Sequence, residues 1–236
     1  MALPLYLAMT AAEISRAQAM PGKIAYMACH FSPYSTGLSA FPDSLPADSM
    51  LILNDRTPVQ GHDPNLIAHQ LLQATEDLGA SCVLLDFQRP GNPQTAAAVQ
   101  AILHTLPCPV GVSEQYAEGL DCAVFLPPPP LDCSLEAHFS GWKGRQIWLE
   151  AALDCACITL TETGSSYIPL FPPETPEPSH PEQRLHCRYQ LTLTDRSARF
   201  TLFRTREDLT ALLEEAAQLG VTQAVGLYQE LHPFPQ

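Results

Sequence analysis

The 236-residue sequence predicts an α/β fold, a (β/α)8 TIM-barrel-like domain over residues 1–236, with partly degenerate helices and a β-hairpin insertion before the last helix. Three observations predict it. Eight or nine short strand-like runs fit into about 230 residues, close to the size of a compact barrel. Most of these runs are apolar at nearly every position, as a parallel sheet covered on both faces requires. Each clear helix is followed by such a run (CVLLDF, CPVGV, TQAVGLY), the alternation of a parallel α/β fold. No glycine-rich turn follows the first strands, so a dinucleotide-binding sheet lacks its fingerprint.

In chain order, the strands read as 5–10, 23–31, 50–55, 82–88, 110–114, 122–126, 146–151, 156–161 and 224–230. A helix is expected over 65–78, with Asp63-Pro64 as its cap, Leu66, Ile67, Leu71 and Leu72 on its apolar face, and Gly79 as its stop. A second runs over 94–106 and ends before Pro107. A third, 206–219, starts after the N-cap Thr205 and stops at Gly220. Between Leu126 and Gln146 the sequence PPPPLDCSLEAHFSGWKGR leaves little room for a regular helix. Residues 167–182 hold six prolines and read as a loop. After it, 187–194 and 197–204 alternate around Asp195-Arg196 and read as a hairpin, so 164–205 is treated as an excursion from the barrel.

Composition narrows the function. Apolar residues make up 46 % and charged residues 16 %, a globular balance. Twelve Lys and Arg against 25 Asp and Glu give a net charge of −13. That excludes the basic stripe a nucleic-acid partner needs and disfavours an anionic membrane surface. No apolar run reaches the length of a membrane span. The first residues, MALPLYLAMTAAEISRAQA, carry a small-residue site at Ala17-Gln18-Ala19 but no basic segment before the short apolar run. A cytoplasmic protein is expected, with export through an atypical leader as the alternative. Eight cysteines, several inside apolar strands, read as reduced thiols. No Cys-x-x-Cys, His-x-His or His-Glu-x-x-His occurs, so neither a metal nor a cofactor is expected.

The informative pattern lies at the strand ends. LILND ends in Asn54 and Asp55, VLLDFQ in Asp86 and Gln88, and VGVSE in Ser113 and Glu114. IWLE ends in Glu150, ITLTE in Thr161 and Glu162, and VGLYQE carries Tyr228 and Glu230. In a barrel these ends converge on one mouth, where active sites are built; His30 is a further candidate for it. Carboxylates and amides with aromatic rings suit a glycan or another small polar ligand. Asp86, Glu114, Glu150 and Glu230 are the candidate catalytic residues. Asp55, Gln88 and Tyr228 are the candidate ligand-binding residues, Tyr228 as a stacking floor. A purely structural polar layer is the competing reading of the same pattern.

The segment SCVLLDFQRP (81–90) resembles the signature strand of family-18 glycoside hydrolases, the chitinase-like barrels. That strand reads roughly Asp-x-x-Asp-x-Asp-x-Glu and is often followed by Arg-Pro. Here Asp86 and Phe87 are followed by Gln88 at the glutamate position, then Arg89-Pro90. The ending RTREDLTALLEEAAQLGVTQAVGLYQEL is similar to the family's last helix and strand, with Tyr228 where tryptophan is usual. The resemblance implies an acetamido-sugar ligand, with Asp86 hydrogen-bonding it and Gln88 in the place of the proton donor. An amide cannot act as that acid. Leu84 stands where an earlier aspartate is expected, and Phe125-Leu126 replaces a Tyr-Asp pair. The implied function is a glycoside-hydrolase-like barrel that binds a glycan with weak or no hydrolysis. Two alternatives stand beside it: an active glycosidase with its acid relocated to Glu114, Glu150 or Glu230, and a non-enzymatic scaffold docking through 167–182.

Overall fold

The computed structural model describes residues 3–17, 23–59, 61–89, 91–171 and 175–232. The Gln18 and Ala19 of the leader-like site, and Pro90 of the Arg-Pro pair, lie outside the described residues. The first strands are β1 (Leu5–Met9), β2 (Lys23–Phe31), β3 (Leu38–Ser39), β4 (Met50–Asn54) and β5 (Cys82–Asp86). There follow β6 (Val110–Ser113), β7 (Ala123–Leu126), β8 (Ile147–Glu150), β9 (Cys155–Thr161) and β10 (Gly164–Pro169). The last are β11 (His180–Glu182), β12 (Cys187–Leu193), β13 (Ser197–Phe203) and β14 (Val221–Leu227). The helices are α1 (Ala11–Ala17), α2 (Pro64–Leu78), α3 (Pro93–Thr105), α4 (Glu114–Ala117), α5 (Leu135–His138), α6 (Arg206–Gln218) and α7 (Tyr228–Leu231).

Eight parallel strands, β1, β2, β4, β5, β6, β7, β8 and β14, form a closed barrel, because β1 pairs with both β14 and β2. Closure leaves no barrel edge to protect. The period of two along each strand sorts the side chains. Met50 and Ile52, Cys82 and Leu84, Phe125, Trp148 and Val225 fill the interior. Leu51 and Leu53, Val83 and Leu85, Val124 and Leu149 face the helices. Gly111 makes room for the indole of Trp148: a Cβ there would sit 2.2 Å from a ring carbon.

Local signals set the long helices. Asp63 and Asn92 cap α2 and α3 through side-chain bonds to the Asn65 and Gln94 N–H groups, both at 2.9 Å, with proline following each cap. Gly79 ends α2 in the left-handed region at φ 64°. Thr205 and Asp208 form a reciprocal capping box on α6. Elsewhere the helical layer is thin: α4, α5 and α7 have four residues each.

Two parts of the sequence reading are corrected. The run 156–161 is not a barrel strand. It belongs to β9, in a five-stranded antiparallel sheet ordered β10-β9-β13-β12-β11. Thr161 and Glu162 are therefore carried away from the mouth. The proline-rich 167–182 is also not all loop, since β10 and β11 run into it as the two edge strands of that sheet. Edge strands tolerate proline because one row of their N–H groups has no partner; residues 172–174 of the segment lie outside the described residues. The expected hairpin is present as β12 and β13. Arg204, 2 % exposed, ties this sheet down: its Nη1 is 3.1 Å from Asp154 Oδ2, and its Nη2 donates to the Pro129 carbonyl at 2.8 Å.

Candidate functional site: the barrel mouth

A cavity of about 900 Å³ opens at the C-terminal ends of the barrel strands. Ile52, Leu84, Phe125 and Val225 form an apolar floor. Above them the same inward-facing register brings up Asn54, Asp86 and Glu150, each two residues beyond an interior side chain. Asn54 pairs with Asp86 across β4 and β5, and with His30 across β2 and β4.

Asp55 is 5 % exposed and organises one side of this mouth. Its Oδ1 accepts from the Gln88 N–H at 3.0 Å and its Oδ2 from the Arg89 N–H at 2.8 Å. It lines the cavity, but both oxygens are occupied by the chain that leaves β5. Asn54 Nδ2 donates to the Met27 carbonyl at 2.8 Å, and Asn54 Oδ1 accepts the Arg56 N–H at 3.1 Å. His30 Nδ1 lies 2.8 Å from the Ala28 carbonyl. A carbonyl only accepts, so Nδ1 is the donor in this contact.

Asp86 and Glu150 are the titratable pair of the cavity. Gln88 Nε2 donates to Asp86 Oδ1. Burial pushes the Asp86 carboxyl above its ordinary value; the Gln88 bond lowers it and the Asp55 charge raises it. The Glu150 carboxyl has no hydrogen-bond partner among the described residues. Burial, then the charges of Asp86, Asp154 and Glu230, push it up to about 7. Close to neutrality it therefore exists in both protonation states, the condition for general acid or base work.

Three expected residues lie elsewhere. Glu114 is exposed in the first turn of α4 and does not line the cavity. Tyr228 and Glu230 were read as the end of the last strand, but β14 stops at Leu227 and α7 begins at Tyr228. The helical turn carries both off the cavity wall. Tyr228 packs on His232, with ring centroids 4.9 Å apart, and is not a floor to the cavity. Glu230 accepts the Leu153 N–H and braces the turn after β8. In their place Gly226 and Leu227 line the wall. The stop at Gly220 is the signal that would have moved this strand forward, since the chain enters β14 at Val221. Arg56 was also missed; its one sequence cue is its place directly after Asn54-Asp55. Among the described residues, no group of three or more His, Cys, Asp or Glu side chains is arranged to hold a metal ion.

No protein-family model and no curated protein matches the sequence. Solved structures match the fold. The spore cortex-lytic enzyme SleL of Bacillus cereus superposes with a TM-score of 0.55 at 11 % identity, over 95 % of this chain and 70 % of that one. SleL of Bacillus megaterium QM B1551 gives 0.55 at 10 %, with the same coverage. A chitinase from Chromobacterium violaceum ATCC 12472 gives 0.52 at 10 %, over 95 % of this chain and 93 % of that one. At such identities the likeness concerns the backbone: this chain shares a closed, eight-stranded parallel barrel with these enzymes.

Proposed function

We propose that the mouth binds a glycan of the acetamido-sugar class and that the chain is a divergent relative of the family-18 barrels. One observation carries the reading. Asn54, Asp86, Gln88 and Glu150 converge above an apolar floor in a cavity of about 900 Å³. Its size lies in the range of small-ligand sites. An apolar floor suits the C–H face of a sugar ring, and the polar ring above suits its hydroxyl and amide groups. The acetamido class rests on the resemblance of residues 81–90, and the expected cytoplasmic setting belongs to the same proposal. Gln88, bonded to Asp86, offers no proton at the position of the family's acid. Calorimetric titration of the full chain with N-acetylglucosamine oligomers tests the reading, with the sugar analysed afterwards. Heat of binding with the sugar intact is expected. Absence of binding overturns it.

A second reading is favoured by Glu150. Its partly protonated carboxyl shares the cavity with Asp86, so it supplies the acid that Gln88 lacks. On this reading the oligomers are cleaved, and Glu150→Gln abolishes cleavage while binding survives. Cleavage that persists in Glu150→Gln removes this reading.

A further inference from the structure

The mouth carries charge of both signs, with Asp55 and Asp86 on the β4–β5 side and Glu150 opposite. Glu150 stands on β8, across the barrel from a pair of arginines, Arg56 and Arg89, that follow β4 and β5. We propose that these two arginines select a glycan bearing an anionic substituent, a carboxylate or a sulfate ester. The inference rests on the glycan-binding reading of the mouth and specifies its ligand class.

The pair is built rather than incidental. The Arg56 N–H is held by Asn54 Oδ1 at 3.1 Å and the Arg89 N–H by Asp55 Oδ2 at 2.8 Å. Arg89 Nη2 donates to the Arg56 carbonyl at 2.7 Å, which sets the two residues side by side. Both side chains are exposed and both line the cavity. Among the described residues, neither guanidinium forms an ion pair, and only Nη2 of Arg89 is engaged in a hydrogen bond. Two less exposed arginines outside the cavity are spent differently. Arg145 donates to the Ala117, Leu120 and Cys122 carbonyls, and Arg204 binds Asp154. The carboxylate nearest the pair in sequence, Asp55, has both oxygens on backbone N–H groups. Two neighbouring planar donors on a pre-set backbone match an oxyanion with parallel N–H···O bonds. The net charge of −13 offers no general attraction for such a ligand, so affinity for an anion must come from this local pair.

Titration of the full chain compares four ligands: a hyaluronan tetrasaccharide, its carboxyl-reduced counterpart, an N-acetylglucosamine tetramer and a sulfated form of that tetramer. The expected result is about tenfold tighter binding of at least one anionic form than of its neutral match, shrinking at high salt. The preferred member assigns the substituent as carboxylate or sulfate. Arg56→Gln with Arg89→Gln is expected to bring the anionic ligand down to the affinity of the neutral one. The neutral ligand, unchanged within about twofold, reports that the variant is folded. The paired lysine variant is expected to keep part of the preference, since it keeps the charge and loses the fork. Equal binding of neutral and anionic forms overturns this proposal and leaves the glycan reading intact. A preference that survives the double glutamine variant also overturns it. No binding of any of the four overturns both.

Discussion

On the β4–β5 side of the mouth, Asn54 and Asp55 are bound to backbone: Asn54 to the Met27 carbonyl, Asp55 to two consecutive N–H groups. On the β8 side, the Glu150 carboxyl has no hydrogen-bond partner among the described residues. The supports behind the two sides differ in the same sense. After β4 and β5 come capped helices of 15 and 13 residues. After β7 comes a four-residue helix, and after β8 the chain leaves for the antiparallel sheet. The bonded side fixes where its groups stand, Asp86 included, which accepts from Gln88. The other side keeps a carboxyl whose burial is uncompensated, which is why it titrates near neutrality. The two walls of one cavity thus differ in how firmly their carboxyls are held.

Substitution on each wall separates the two roles. Asp55→Ala should have the largest effect. It removes two charge-assisted bonds from a buried site, each worth about 1.5 kcal/mol, so a loss of about 3 kcal/mol is expected in chemical denaturation at neutral pH. A loss below about 1 kcal/mol would mean that the β5 exit is held by its packing instead.

Glu150→Gln should act with the opposite sign. An unfolded glutamate ionises near 4.5, whereas Glu150 in the fold ionises at about 7. Between those values the unfolded chain binds fewer protons, so stability falls as pH rises. Glutamine removes that loss. With allowance for solvent and for the coupling to Asp86, a gain of about 2 kcal/mol is expected at about pH 8 and almost none at about pH 4. The same gain at both pH values would show that no titration is involved.

Gln88→Glu should have the smallest effect. It exchanges the donor to Asp86 for a second carboxylate. A loss of about 1 kcal/mol is expected at about pH 8 and a smaller one at about pH 4, where protonation weakens the repulsion between the two carboxyls. Denaturation curves at the two pH values measure it. A neutral outcome at both would mean that the Gln88–Asp86 bond contributes nothing to the bonded wall.

The mouth was legible where strand alternation alone decides the facing of a side chain. Asp86 and Glu150 were readable as strand-end groups, and their spacing of two from Leu84 and Trp148, which fill the interior, turns both inward. It was not legible where a strand end had to be located. A slip of three residues at the last strand put Tyr228 and Glu230 on the mouth, whereas the chain has already turned into α7 there. The 156–161 run failed for another reason. Its apolar residues suit a barrel strand and a half-buried antiparallel strand alike, and only its partners β10 and β13 distinguish them.

By itself, the sequence determined the barrel, the caps of its long helices and the place of Asp86 and Glu150 at strand ends. These follow from periodicity and from side chains that bond within three residues of themselves. Only the tertiary structure decided that Asp55 spends its charge on the chain 33 and 34 positions later. It also decided that Arg56 and Arg89 stand together and that the Glu150 carboxyl has no hydrogen-bond partner among the described residues. Those outcomes depend on which strand ends closure of the barrel brings side by side. Hydrogen bonds and desolvation act across that distance in space, and no local pattern along the chain encodes it.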